Sequence, residues 1–149
     1  MYPHERVEWW AERSRSPEYQ TAYDVIAKHV CRERPQSILD TCCGTGELMK
    51  RLYEIPGARL IVGTDSSKEM LDIAYENMKA AASSPARNDA GMHGGNTRVV
   101  LANDSIHNSQ MPSDFFDVCI QAFPDLVVDI EVPFVDLELV AKYVERYKP

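Results

Sequence analysis

Ser37-Ile-Leu-Asp-Thr-Cys-Cys-Gly-Thr-Gly-Glu47 is an apolar run that ends on a carboxylate, turns through two glycines and opens a helix. Strand, glycine turn and helix in that order begin a parallel βαβ unit. In open parallel sheets ligands gather beyond the carboxyl ends of the strands. Small residues at Cys42, Gly44 and Gly46, with Thr45 between the glycines, let a ligand lie against bare backbone while Asp40 meets an amine or hydroxyl. A turn built only to cradle phosphate would not carry an acid there, because like charges repel.

Working outward, Arg59-Leu-Ile-Val-Gly-Thr-Asp65 is a second apolar run of strand length, and its end is again an acid. Unbroken runs of this kind suit strands buried on both faces of a parallel sheet. Between the two runs a helix is expected from Glu47 to about Glu54, with Leu48 and Leu52 inward and Pro56-Gly57 as its stop. Ser66-x-x-Glu69 has the form of a capping box, and Met70, Leu71, Ala74 and Met78 then mark an amphipathic helix to about Lys79. The stretch from Ala82 to Asn96 has loop composition. Thr97 to Asn103 reads as a third strand, Phe116 to Phe123 as a fourth, and Asp136 to Tyr147 as a last helix with Leu137, Val140, Val144 and Tyr147 on one face. Upstream, residues 5–31 read as two helices broken between Arg15 and Pro17, the second carrying Tyr19, Ala22, Tyr23, Ile26 and Val30 at helical spacing. This alternation predicts an α/β fold, a Rossmann-like doubly wound parallel sheet, in a single domain over 1–149. Residues 1–36 supply the N-terminal helices and 37–149 the sheet.

Composition narrows the function. Lys and Arg number 16 against 23 Asp and Glu, for a formal net charge of −7. That balance disfavours broad attachment to nucleic acid or anionic lipid and favours a small-molecule substrate. No apolar run approaches the roughly 20 residues a membrane helix needs, and the N-terminus lacks a cationic then apolar signal pattern. The chain therefore reads as cytoplasmic. Cys31, Cys42, Cys43 and Cys119 have no metal-ligand spacing, and reduced, packed thiols are expected of them.

The strand ends converge on one chemistry. Asp40, Asp65 and Asn103-Asp104 close the first three strands and Gln121 the fourth, so a central first strand would gather these groups at one crevice. Asp65 follows Gly46 by about 20 residues, the spacing at which an acid takes hydrogen bonds from both hydroxyls of a ribose. A nicotinamide dinucleotide would want a third glycine where Met49 stands, and Asp40 would face its pyrophosphate. A positively charged nucleoside suits the turn better.

Taken together, Leu39-Asp-Thr-Cys-Cys-Gly-Thr-Gly-Glu47, Val62-Gly-Thr-Asp-Ser-Ser-x-x-Met-Leu71, Asn103-Asp104 and Met111-Pro-x-x-Phe-Phe-Asp-Val118 resemble the class I S-adenosylmethionine-dependent methyltransferases. Their form is most similar to the branch that includes ubiquinone and menaquinone C-methyltransferases. The resemblance implies S-adenosylmethionine as cofactor and methyl transfer to a small acceptor. It assigns the methionine amino group to Asp40, backbone approach to Cys42, Gly44 and Gly46, and the ribose hydroxyls to Asp65. Asp104 would take the adenine amino group, Ser105 would offer its N–H to the ring, Met70 would cover the adenine face, and main chain at Gln121 would lie near the methionyl end. Cys42 stands where the family has its first glycine, and Ser66 where it usually has an apolar residue against adenine.

No catalytic residue and no metal set is singled out, since displacement at a sulfonium can proceed by positioning alone. The resemblance also implies a fifth strand and beyond after Tyr147-Lys-Pro149. A truncated sheet in the order 3-2-1-4 would leave the fourth strand as an edge, which could pair with a second copy. The rival reading is a non-enzymatic cofactor-binding fragment that works through self-association or a partner subunit.

Overall fold

A computed structural model describes residues 3–84, 97–103 and 115–122. The helices are α1 (Pro3–Arg13), α2 (Pro17–Arg32), α3 (Glu47–Leu52) and α4 (Lys68–Ala82). The strands are β1 (Ser37–Thr41), β2 (Leu60–Asp65), β3 (Arg98–Asn103) and β4 (Val118–Gln121). They form one sheet in the order β3-β2-β1-β4, every neighbouring pair parallel. The expected fold and strand order are thus observed. Asp104, Ser105, most of the stretch from 82 to 96, and the helix expected over 136–147 lie outside the described residues.

The first strand is central because its middle residues are apolar on both sides, which only a strand covered above and below can bury. Ile38 packs with Ile26, Val30, Met49, Leu52, Ile61 and Ile120 on the face that α2 and α3 cover. Leu39 joins Val62 and Phe116 on the opposite face. Each fully buried aliphatic side chain of this kind contributes about 1.5–3 kcal/mol. In α2 the stripe Tyr19, Ala22, Tyr23, Ile26 and Val30 faces the sheet, with Pro17 at the first helical position where its missing N–H costs nothing.

The amino and carboxyl ends of the sheet are finished differently. At the amino end, Asp117 Oδ2 accepts from the backbone N–H of Gln36 at 2.8 Å and of Ser37 at 2.9 Å, and from Ser37 Oγ at 3.1 Å. The Ser37 and Gln36 amides hold this carboxyl below its usual range. Asp117 therefore fastens the start of β4 to the start of β1. At the carboxyl end, Thr41 Oγ1 donates to the Ile120 carbonyl at 2.9 Å and Asn103 Nδ2 to the Asp65 carbonyl at 3.0 Å, and the acids Asp40 and Asp65 face a cleft.

One packing detail follows from Met49. Where a dinucleotide-binding turn has a glycine on the helix, α3 carries this methionine, fully buried, and the glycine is on β2 instead. A Cβ added at Gly63 would fall on Met49 Sδ and stand 3.0 Å from Cys43 Sγ. Helix and strand still approach closely, with knob and hole exchanged.

Candidate functional site

β1 delivers Asp40 to the floor of the cleft, where it is 1% exposed. Its Oδ2 is buried without a hydrogen-bond partner. Burial, followed by the nearby charge of Asp65, pushes its carboxyl up to about 8. A buried polar atom left unsatisfied costs about 1–3 kcal/mol, so its retention calls for a functional explanation.

The turn after β1 is held open by backbone geometry. Cys42, Gly44 and Gly46 all adopt positive φ, at 57°, 54° and 77°. Nothing stands within 4 Å of a Cβ placed on Gly44, so the chain leaves bare backbone facing open space there. Gly46 is different. A Cβ on it would come 3.2 Å from the Ala74 Cβ, so this glycine serves the contact between the turn and α4. Asp65, at the end of β2, accepts from Gly44 N–H through Oδ2 and from Ser67 N–H through Oδ1, both at 2.9 Å. A carboxylate has about four acceptor positions, so two remain for a diol.

Neighbouring helices pin the turn from behind. Asn77 on α4 donates from Nδ2 to the Thr45 carbonyl at 2.8 Å. Ser14, at the elbow between α1 and α2, shares a 3.1 Å hydrogen bond between its Oγ and Thr45 Oγ1. From α2, Gln20 Nε2 donates to the Ser14 carbonyl at 2.7 Å and to Glu47 Oε2 at 3.2 Å. Glu47 is buried and paired with Lys50 at 2.7 Å.

The cleft so formed holds about 500 Å³, within the range of small-molecule sites. Of the residues singled out from the sequence, Asp40, Cys42, Gly44, Thr45, Asp65, Ser66 and Met70 line it together. Gly46 stands behind the turn as the N-cap of α3, and Gln121 pairs with Thr41 at the sheet's end, with Ala122 reaching the cleft in its place. The capping box is corrected by one residue. Ser67, not Ser66, caps α4, its Oγ accepting from Met70 N–H at 3.2 Å and donating to Glu69 at 3.0 Å. Ser66 is left exposed on the cleft wall.

The sequence leaves Trp9, Trp10, Tyr19 and Tyr23 open between a lid over the site and packing on the sheet, and it does not single out Arg6, Val7 or Ser14. Arg6, Val7 and Trp10 of α1, Ser14, and Tyr23 of α2 also line the cleft. The 4-residue spacing from 6 to 10 to 14 is a helical face and was the available signal. The aromatic residues divide between two roles: Tyr19 is core, Tyr23 is core and cleft floor, and Trp10 packs on the core while lining the cleft. Burial first, then the Asp40 charge, pushes the Tyr23 hydroxyl up, and the same two causes in that order keep Cys43 a neutral thiol.

A family profile described as "Methyltransferase domain" matches residues 38–134, well over half of the chain. The chain belongs to the methyltransferase-domain family. No curated protein matches it in sequence. Among solved structures, this methyltransferase domain is similar to a putative S-adenosyl-L-methionine-dependent methyltransferase from Methanococcus maripaludis, at TM-score 0.60 and 16% identity, covering 95% of this chain and 57% of that one. It is also similar to magnesium protoporphyrin IX methyltransferase from Synechocystis PCC 6803 with bound SAH, at TM-score 0.54 and 16% identity over 70% of this chain and 42% of that one. A third is DesVI of Streptomyces venezuelae, at TM-score 0.53 and 18% identity, covering 83% of this chain and 44% of that one. At these identities the likeness is one of fold, and the chain spans about half the length of these structures.

Proposed function

We propose that this chain binds S-adenosylmethionine and serves as a methyltransferase domain in methyl transfer to a small-molecule acceptor. The observation that carries the proposal is the buried Asp40 Oδ2, an acceptor without a donor at the floor of a nucleoside-sized cleft. The α-ammonium of a methionyl group supplies the missing donor and a compensating charge. Asp65 keeps two acceptor positions for the ribose hydroxyls, and the open backbone at Gly44 lets the ligand lie between the two acids. Met70, buried at the start of α4, presents its thioether on the adenine side. Asp104 and Ser105 complete the adenine contacts in this reading, Gln121 lies near the methionyl end, and Cys42 and Ser66 keep the places of the family's small and apolar residues.

The bound cofactor supplies an already activated methyl group on a sulfonium. The chain's own residues then bind, orient and exclude water: α1 places Trp10 and Val7 against the cleft, and the Thr45 anchors keep the turn in register. The net charge of −7 supports a small or neutral acceptor over nucleic acid. The four cysteines, whose spacing is not that of metal ligands, support a reducing, cytoplasmic setting. No helix of the described residues is long and apolar enough to cross a membrane.

The test is thermal unfolding with S-adenosylhomocysteine and, in parallel, NAD. A ligand at 100 times its Kd adds about 2.7 kcal/mol to stability. The homocysteine adduct should raise Tm and NAD should not. The reverse ranking, or no shift with either, would overturn the proposal, and transfer of a labelled methyl group to candidate acceptors then tests the chemistry.

A further inference from the structure

Asp40 is placed where its charge has little support. From β2, Asp65 faces the same cleft as a second carboxylate; from α4, Glu69 lines it as a third. From α2, Tyr23 presents a buried phenol, and the turn adds Cys42 and the buried thiol of Cys43. From α3, Glu47 is another buried acid, with its own cation in Lys50. β4 sets Ile120 opposite Asp40 and brings no charge. α1 contributes Arg6 to the cleft wall, yet among the described residues no cation is paired with Asp40.

We propose that Asp40 rests as the neutral acid and yields its proton to solvent when an ammonium-bearing nucleoside enters, so the cleft selects its ligand by exchanging one positive charge for another. The balance is simple. The carboxyl O–H bond breaks, the proton passes to buffer, and an ammonium N–H···O contact to the same carboxylate takes its place, with no oxidation or reduction. This inference rests on the proposed function above and adds a discrimination to it. A nucleoside without an amino-acid portion brings no charge to exchange, so it must leave Asp40 protonated.

With the resting carboxyl raised to about 8, binding at pH 7 should release most of a proton. The apparent affinity should fall about tenfold for each pH unit below 8.

Calorimetry of S-adenosylhomocysteine binding at pH 7, in two buffers of unlike ionisation enthalpy, reads the proton count directly. Most of one proton should leave with S-adenosylhomocysteine and none with 5′-methylthioadenosine, which has the nucleoside but not the aliphatic ammonium. Asp40→Asn should bind S-adenosylhomocysteine more weakly and without proton release. Should that variant fail to fold or bind, the two ligands on the unaltered chain still decide, as does a carbon NMR titration of the Asp40 carboxyl. Binding of S-adenosylhomocysteine with no proton exchange, or equal release by both ligands, overturns this inference and leaves the proposed function standing. Absence of any S-adenosylhomocysteine binding overturns both.

Discussion

Cys42 is the residue at which this chain parts most plainly from a glycine turn, and the backbone shows the cost. A side chain at φ 57° lies in the left-handed region, which costs a non-glycine residue roughly 1–2 kcal/mol. Replacing it by glycine removes that strain but adds freedom to the unfolded chain. Cys42→Gly should therefore raise stability by about 0.5–1 kcal/mol, seen as a shift in the urea midpoint at constant slope. Asp40 makes a contribution of opposite sense that depends on pH. Its folded-state pKa is about 8 against an ordinary 3.8, so between these values the native state holds a proton that the unfolded state has lost. Stability from this group is therefore greatest at the acid end of that window and falls as pH rises toward 8. In Asp40→Asn the decline of Tm with pH over that window should flatten; an unchanged slope would show that another group sets it.

At the scale of the elements, Met49 and Gly63 act as one contact between α3 and β2. Met49 is fully buried and a Cβ on Gly63 would overlap the end of its side chain, so Gly63→Ala forces it to repack and should destabilise by about 1–3 kcal/mol. Met49→Ala alone leaves a cavity, but in the double variant each change relieves the other, and denaturant unfolding should give less than the summed cost. The clamp at the other end of the sheet has a smaller effect. Asp117 is exposed, so Asp117→Ala should cost about 1 kcal/mol through loss of its charged hydrogen bonds to Gln36 and Ser37. Elements of this kind differ in how far they can be read in advance. β1 and β2 were legible because a parallel sheet demands unbroken apolar runs, and the acids Asp40 and Asp65 because each stands where such a run stops. The cap of α4 was not, because Ser66 and Ser67 are chemically equal candidates and only the three-dimensional position of Asp65, whose Oδ1 takes the Ser67 amide, chooses between them. The cleft wall on α1 was hidden for a related reason: Arg6, Trp10 and Ser14 acquire their role from where the elbow at residues 14–16 sends the helix, and helical spacing alone does not fix that direction.

For the molecule as a whole, the two ends of the sheet are tied differently. The amino end is tied by Asp117. At the carboxyl end, four long-range hydrogen bonds converge on residues 44–47: Asp65 to Gly44, Asn77 and Ser14 to Thr45, Gln20 to Glu47. Those bonds join the α1–α2 elbow, α2, α4 and β2 to one turn, so a ligand seated on that turn stabilises each of them against local opening. Hydrogen exchange should accordingly slow on addition of S-adenosylhomocysteine at residues 6–14, 42–47 and 65–70. Amides at 36–38 and 117–118 share no group with the cleft except through β1, and they should exchange at their original rates. Protection spread evenly over both ends would mean that the ligand acts on global stability alone, and protection confined to the clamp end would place the binding site on the wrong side of the sheet. Asn77→Ala sharpens the test, because it removes the anchor from α4 and Asn77 does not itself line the cleft. In that variant the protection at 42–47 should persist while the part transmitted to α4 beyond residue 70 is lost.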